Sequence, residues 1–341
     1  MSNVDLKQKL SDINNIVDPV IQELLAKDVE QFTSEIALYQ CGVGGKRIRP
    51  ALVIISGQIF GGDINELVYP AASAEILHNG TLIIDDIIDH SEFRRNEPTC
   101  WNKFGKSIAE CASFMYLASV FSGLTTVNNG PQLIDLYCKA MKIIIDGEIK
   151  DILFERSGRE DENFVVTHRY YEISKDDYFK MIGQKTAVLL KVCCQAGAIC
   201  ANATDEQIEI IGVFGFNLGM AFQIRDDILD IFGNEKDFGK QIGKDIIEKK
   251  MGNFIILSAV EKLDHSDNNT IHNIFASEHE VSGEDISTVT SLINKTNAKE
   301  EAEDVANGFI QNAFQALSKL PQNEHTESLM DIANYIIDRS K

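Results

Sequence analysis

Residues 82–95 read Leu82-Ile83-Ile84-Asp85-Asp86-Ile87-Ile88-Asp89-His90-Ser91-Glu92-Phe93-Arg94-Arg95. An acidic core of the form Asp-Asp-x-x-Asp sits in an apolar run and is followed within two turns by paired arginines. At about 100° per residue, Asp85, Asp86 and Asp89 fall at roughly 0°, 100° and 40° around a helix, on one face. Carboxylates this close repel one another by about a few kcal/mol per pair at an effective dielectric of ~20. Such a face calls for a cation, and hard oxygen ligands with room left for water and phosphate suit Mg²⁺. The pattern returns at Asp226-Asp227-Ile228-Leu229-Asp230. Two such helices facing each other would make a cage for metal ions and an anionic ligand.

Upstream, residues 51–62 and 68–89 carry the apolar spacing of helices. Ala71, Ala72, Ala74, Leu77 and Thr81 are small or slim and lead straight into the aspartates. His78 lies seven residues, almost two turns, before Asp85 and so close to the same face. A lone histidine on an apolar helix is ordinarily a satisfied core residue; this neighbourhood favours ligand contact instead. Further upstream comes Cys41-Gly42-Val43-Gly44-Gly45-Lys46-Arg47-Ile48-Arg49-Pro50. Glycines let backbone amides approach an anion, and three cations follow at once, so Lys46, Arg47 and Arg49 read as a phosphate grip. Alone, such a loop would be ordinary; beside the aspartates it gains weight. Pro50 opens the next helix, where a missing N–H costs nothing. Residues 3–39 read as a helix pair with Pro19 near a helix start.

Downstream, helical spacing covers 101–127 and 132–155, and 156–168 is a polar loop. A single long helix is expected over 175–203, carrying Tyr178, Lys185 and Thr186; a lysine in so apolar a setting wants an anionic partner. Gln223 stands just ahead of Asp226 on a helix over 206–232. Glycine and lysine recur in 238–245, with Lys240 among them, and Lys249-Lys250 follow. Helical patterns continue over 253–263, 269–276, 284–294, 297–320 and 326–340. No alternation is strong enough to predict a sheet. The expectation is an all-α protein.

The 341 residues, 44% of them hydrophobic, suffice for a sizeable core, and six scattered prolines leave long helix-permissive runs. Length alone would suggest two domains, although helical enzymes of this size form one. A net charge of −20 excludes a general nucleic-acid or anionic-membrane surface and reads as a solvated exterior. Seven cysteines without a Cys-x-x-Cys pair read as reduced thiols, which points to the cytoplasm. The start, MSNVDLKQKL, lacks signal-peptide layout. Lys185, Lys191, Gln195, Asn217 and Gln223 interrupt the most lipid-like runs, so no membrane-spanning helix is expected.

Taken together, these residues resemble the trans-polyprenyl diphosphate synthase family, over nearly the whole chain. The resemblance rests on the Gly-Gly-Lys-Arg-x-Arg-Pro loop, two Asp-Asp-x-x-Asp motifs, the arginine pair after the first, and the Gln before and Gly-Lys after the second. It implies the all-α isoprenoid-synthase fold, a helical bundle around a large central cavity, with 1–341 as a single polyprenyl synthetase domain. It also implies condensation of isopentenyl diphosphate with an allylic prenyl diphosphate, and homodimerisation. Carried over by position, Lys46, Arg49, His78 and Arg95 would grip isopentenyl diphosphate. Asp85, Asp86 and Asp89 would form the first Mg²⁺ site and Asp226, Asp227 and Asp230 the second, three ions in all with substrate bound. Arg94, Lys185, Gln223, Lys240 and Lys250 would surround the allylic diphosphate, and Thr186 would face the carbocation.

Departures from the family pattern are Ile84 for histidine, Asn96 for glycine, Trp101 for histidine, Ala112-Ser113-Phe114 for Ala-Gly-Asp, and Met251-Gly252-Asn253-Phe254 for Thr-Leu-Pro. They mark a divergent branch without removing a metal ligand. The turns before Asp85 would wall the product tunnel, each turn of about 5.4 Å matching roughly one isoprene unit. Gly80 and Thr81 are small, and Leu77, Ala74 and Ser73 lie deeper, so no aromatic plug stands on this wall. Phe114 and Met115 would set the floor. The expected product is therefore of geranylgeranyl length or longer. The rivals are a class I terpene synthase, a silent regulatory subunit and a solvated helical scaffold. The isopentenyl grip, the six aspartates and the apolar neighbours Ile83, Ile84, Ile87, Ile88, Ile228 and Leu229 argue against them in turn.

Overall fold

A helix apolar on every side belongs in a core, and residues 64–88 form one. A computed structural model describes residues 3–233 and 243–337. The elements are α1 (Asn3–Ala26), α2 (Gln31–Gly42), α3 (Ile48–Ile59), α4 (Ile64–Ile88), β1 (Phe93–Arg94), β2 (Glu97–Pro98), α5 (Cys100–Phe104), α6 (Lys106–Leu124), α7 (Gly130–Leu153), α8 (Asn163–His168) and α9 (Lys175–Ile182). A π-helical turn (Gly183–Ala187) comes next, then α10 (Val188–Cys200), α11 (Asp205–Phe232), α12 (Lys244–Ile247), α13 (Phe254–Val260), α14 (His265–Ala276), α15 (Gly283–Ile293), α16 (Ala298–Leu317) and α17 (Glu324–Ile337). The described residues are helical apart from loops and one two-residue hairpin, as an all-α fold requires.

The chain gathers into two compact units, the first made of Met1–Ala140, Leu189–Gly215 and Ala313–Tyr335, the second of Met141–Val188, Phe216–Asn312 and Ile336–Lys341. In the first, α4 packs against α6, α3 and α1. Its small residues Ala71, Ala72 and Ala74 are fully buried. The Asp63 carboxylate caps its start by accepting from the Asn65 amide at 3.0 Å. Asp89 ends it, and His90 takes a left-handed φ of 50° that turns the chain away. In the second unit Phe154, Tyr178, Phe254 and Phe275 are fully buried among the helices that carry Lys185 and Asp226.

Several expectations need correction. Pro19 lies inside α1 rather than at a helix start. The 101–127 helix breaks at Gly105, whose φ of 91° suits glycine, into α5 and α6. The polar loop 156–168 contains α8, and the helix expected over 175–203 is interrupted by the π turn. The hairpin pairs Phe93 with Pro98 and Arg94 with Glu97. Its loop residues, Arg95 at φ 55° and Asn96 at φ 65°, are both left-handed, as a tight two-residue turn requires. Asn96 is therefore a tolerable substitute for glycine there. Trp101 also finds a structural reason, donating from Nε1 to the Ser91 carbonyl at 2.9 Å. By length and composition α6 and α11 could cross a membrane. However, α6 packs on α4, and α11 carries Arg225, Asp226 and Asp227. All seven cysteines are free.

In the first unit α3 and α10 approach as closely as backbones allow: a Cβ at Gly197 would lie 2.1 Å from the Val53 carbonyl oxygen. Gly197→Ala should cost about 1–3 kcal/mol by overpacking, read as a lower denaturation midpoint in urea. An unchanged midpoint would contradict this crossing.

Candidate active site

At the end of α4 the three aspartates are not equivalent. Asp86 is 1% exposed. Both its oxygens accept from Arg94, Nη2 to Oδ1 at 2.7 Å and Nε to Oδ1 and Oδ2 at 2.9 and 3.0 Å. The hairpin brings Arg94 back over the helix end for this purpose. Asp85 and Asp89 remain partly exposed. Arg94 thus answers the carboxylate repulsion directly, a role the resemblance did not assign to it.

The glycine loop divides its cations in the same way. Arg47 is buried and bonded to Asp18 at 2.9 Å, to Glu75 at 3.0 Å and to the Cys41 carbonyl at 2.9 Å. It ties the loop to α1 and α4, so the grip expected of all three cations loses Arg47. Lys46 is exposed, its ammonium 5.2 Å from the Tyr335 ring centroid, and Arg49 is half-buried. A Cβ on Gly45 would lie 3.1 Å from the Arg95 guanidinium, which places Arg95 against this loop. His78 is held well below the ordinary imidazole range, first by burial and then by the positive fields of Arg49, Arg94, Arg95 and Arg47. It is neutral at pH 7 and able to share a hydrogen bond. Lys46, Arg49, His78 and Arg95 thus all lie in the first unit, with the first aspartate motif.

In the second unit Asp227 is 3% exposed. It accepts from the Tyr178 hydroxyl at 2.7 Å, the Phe254 amide at 2.8 Å and Gln223 Nε2 at 3.1 Å. Burial, then the Asp245 charge, pushes its carboxyl up, and these three donors oppose the shift. Asp230 accepts from the amides of Lys244 at 3.0 Å and Asp245 at 3.2 Å, fastening the start of α12. Only Asp226 of this motif is partly exposed. Gln223 Oε1 accepts from the Thr186 hydroxyl at 2.9 Å, which leaves the threonine oxygen's lone pairs to face outward from that bond. The π turn carries Lys185 and Thr186, and there Lys185 meets Glu148 and Asp151, both at 2.7 Å. Lys250 meets Glu248 at 3.0 Å and Asp151 at 3.5 Å. Lys240 lies outside the described residues.

Asp85 and Asp89 in the first unit, and Asp226 in the second, each keep partly exposed carboxylate oxygens, the donor type that suits a hard divalent cation. Among the described residues no three His, Cys, Asp or Glu side chains form a ready cage. The remaining ligands would be water and substrate oxygens, as Mg²⁺ prefers.

Residues 30–293 match the polyprenyl synthetase family model. The chain belongs to the polyprenyl synthetase family. It is 31% identical to heptaprenyl diphosphate synthase component 2 of Bacillus subtilis, over 98% of this chain and 91% of that one. It is 29% identical to a geranylgeranyl diphosphate synthase of Saccharolobus solfataricus over the full length of both. The crystal structure of geranylgeranyl pyrophosphate synthetase from Pyrococcus horikoshii superposes with a TM-score of 0.88 at 27% identity, covering 99% of each chain. The fold is that of the isoprenoid synthases and the activity is prenyl transfer; prenyl synthases as a class use isopentenyl and allylic diphosphates.

In this polyprenyl synthetase the residues expected to measure the product occupy unlike settings. Ser73 is buried, donating to the Val120 carbonyl of α6 at 3.2 Å. Ala74 and Leu77 are buried in the core. Thr81 is half-buried and donates to the His78 carbonyl at 2.9 Å. Gly80 faces Tyr116 of α6, whose Cβ would be 3.1 Å from a Cβ at Gly80. Tyr116 of the neighbouring helix thus packs against Gly80, a contact that α4 alone does not reveal. Phe114, expected to help set the floor, is 72% exposed in this chain. Sequence reasoning missed Glu75 and gave no role to Asp151 or Tyr178. The i, i+3 spacing of Glu148 and Asp151 was the one available signal for Asp151.

This division of labour predicts opposite outcomes for adjacent aspartates. Asp227→Asn should lower stability by about 1–3 kcal/mol, because a buried carboxylate bonded to three donors is replaced. Asp226→Asn, at a partly exposed carboxylate, should cost less stability than Asp227→Asn and reduce turnover by about 10²-fold or more. Melting curves and initial rates on both variants decide it; equal destabilisation would contradict the assignment.

Proposed function

We propose that this prenyltransferase is a Mg²⁺-dependent, cytoplasmic trans-polyprenyl diphosphate synthase. It would extend dimethylallyl, geranyl or farnesyl diphosphate with isopentenyl diphosphate to geranylgeranyl length or longer, releasing diphosphate. The observation that carries this reading is the gathering of Arg49 and Arg95 about a neutral His78, with Arg95 against the glycine loop, in the unit whose α4 ends in the first aspartate motif. An elongating enzyme must hold a second diphosphate there, whereas a terpene synthase needs no such grip.

In this reading Lys46, Arg49, His78 and Arg95 hold isopentenyl diphosphate, and Lys185, Gln223, Lys240 and Lys250 meet the allylic one. Asp85, Asp89 and Asp226 would serve as ligands to Mg²⁺. The allylic C–O bond breaks, the isopentenyl double bond attacks the cation, and a proton leaves the condensed product. Bound Mg²⁺ would neutralise the departing diphosphate. The buried helices keep water from the cation, and Thr186 turns oxygen lone pairs towards it while its proton is held by Gln223. The departing diphosphate would be the base, as the family resemblance implies, and among the described residues no carboxylate or imidazole stands out for that task.

Phe114 stands exposed on α6 with Cys111, which supports an apolar surface covered by a second copy of the chain. The component 2 relative favours a second reading, in which a different subunit covers it. Size measurement of the purified chain separates them: a homodimer active alone supports the first.

The chain should be incubated with isopentenyl diphosphate, each allylic primer and Mg²⁺, and the products sized by chromatography. Products of four or more isoprene units, lost with chelator, are expected, and Thr81→Phe should shorten them. A hydrocarbon product, or arrest at farnesyl diphosphate, would overturn the reading.

A further inference from the structure

The proposed allylic cations Lys185 and Lys250 reach their places from different segments. Lys185 rides the π turn, whose backbone comes so close to α7 that a Cβ on Gly147 would lie 2.4 Å from the Lys185 nitrogen. Lys250 comes after α12, and the backbone around it is stitched to the end of α7, Glu155 bridging to Lys250 and the Arg156 amide donating to the Lys249 carbonyl at 3.2 Å. Asp151, on the last turn of α7 and 7% exposed, stands between them. One oxygen, Asp151 Oδ2, lies 2.7 Å from Lys185 Nζ and 3.5 Å from Lys250 Nζ. Charges of alternating sign extend to either side, with Glu148 on Lys185 at 2.7 Å, Glu248 on Lys250 at 3.0 Å and Lys244 on Glu248 at 2.9 Å.

Two ammonium groups this close repel each other, and Lys250, 7% exposed, has little water to compensate it. A shared carboxylate oxygen lets both stay charged and fixes their spacing, near enough for one diphosphate to meet both. We propose that Asp151 is the positioning residue for the allylic diphosphate, holding Lys185 and Lys250 at the separation its oxygens require. Asp151 acts through the lysines and touches no substrate. This rests on the function proposed above.

The test is titration of dimethylallyl diphosphate with Mg²⁺ into the full-length chain by calorimetry, without isopentenyl diphosphate. Asp151→Asn should bind it at least tenfold more weakly, with the KM for isopentenyl diphosphate unchanged. Asp151→Glu, which keeps the charge but displaces the oxygen by one methylene, should bind about threefold more weakly. A D151N chain that binds as tightly as wild type, or more tightly, would make Asp151 a mere counter-ion and overturn the proposal. Should D151N fail to fold, D151E decides alone: wild-type affinity there shows that placement does not matter, and overturns it. If wild type itself binds no allylic diphosphate, the proposed function falls and this inference with it. Wild-type binding with indifferent variants removes only the inference.

Discussion

Three carboxylates on one turn of a buried helix cannot stand without opposing charge, and the grip of Arg94 on Asp86 is what makes the end of α4 possible. Asp86 is buried to 1% and answered on both oxygens by one guanidinium. Removing either partner would leave a buried charge alone, an arrangement that typically costs about 3–5 kcal/mol. The pair dictates the path of the chain beyond α4. Asp89 must end the helix, His90 must turn left-handed, and a two-residue hairpin loop must return Arg94 while leaving Arg95 against the glycine loop. The same turn that neutralises one carboxylate therefore delivers the next arginine to the proposed isopentenyl grip.

In the second motif neutral donors hold two of the carboxylates. Asp227 takes a tyrosine hydroxyl, a backbone amide and a glutamine, and Asp230 takes two backbone amides. Both carboxylates hold later parts of the chain, at the starts of α13 and α12. In each motif some aspartates are thus committed to the fold, leaving Asp85, Asp89 and Asp226 partly exposed for the proposed chemistry. The glycine loop shows the split in cations, with Arg47 committed to Asp18 and Glu75 while Lys46 remains at the surface.

This split limits how far the residues alone can be read. Helical spacing marks the long elements well, because period and apolar content are local properties. Motif spacing marks which residues gather, because the aspartates and arginines lie within a few turns of one another. It cannot say which member of a motif turns inward. That depends on partners distant in sequence, such as Tyr178 for Asp227 or Glu75 for Arg47. Tyr116 against Gly80 escapes for the same reason, since it comes from another helix. The π turn at Gly183–Ala187 is likewise invisible to a 3.6-residue period. The family match to residues 30–293 identifies the chemistry without assigning these tasks.

The claim that only some motif carboxylates serve the metal has a direct test. Crystals grown with Mn²⁺ and inorganic diphosphate would locate each ion by its anomalous signal. The account predicts ions bonded to Asp85, Asp89 and Asp226, with Asp86 still on Arg94 and Asp227 still on Tyr178. An ion bonded to Asp86 or Asp227 would contradict it.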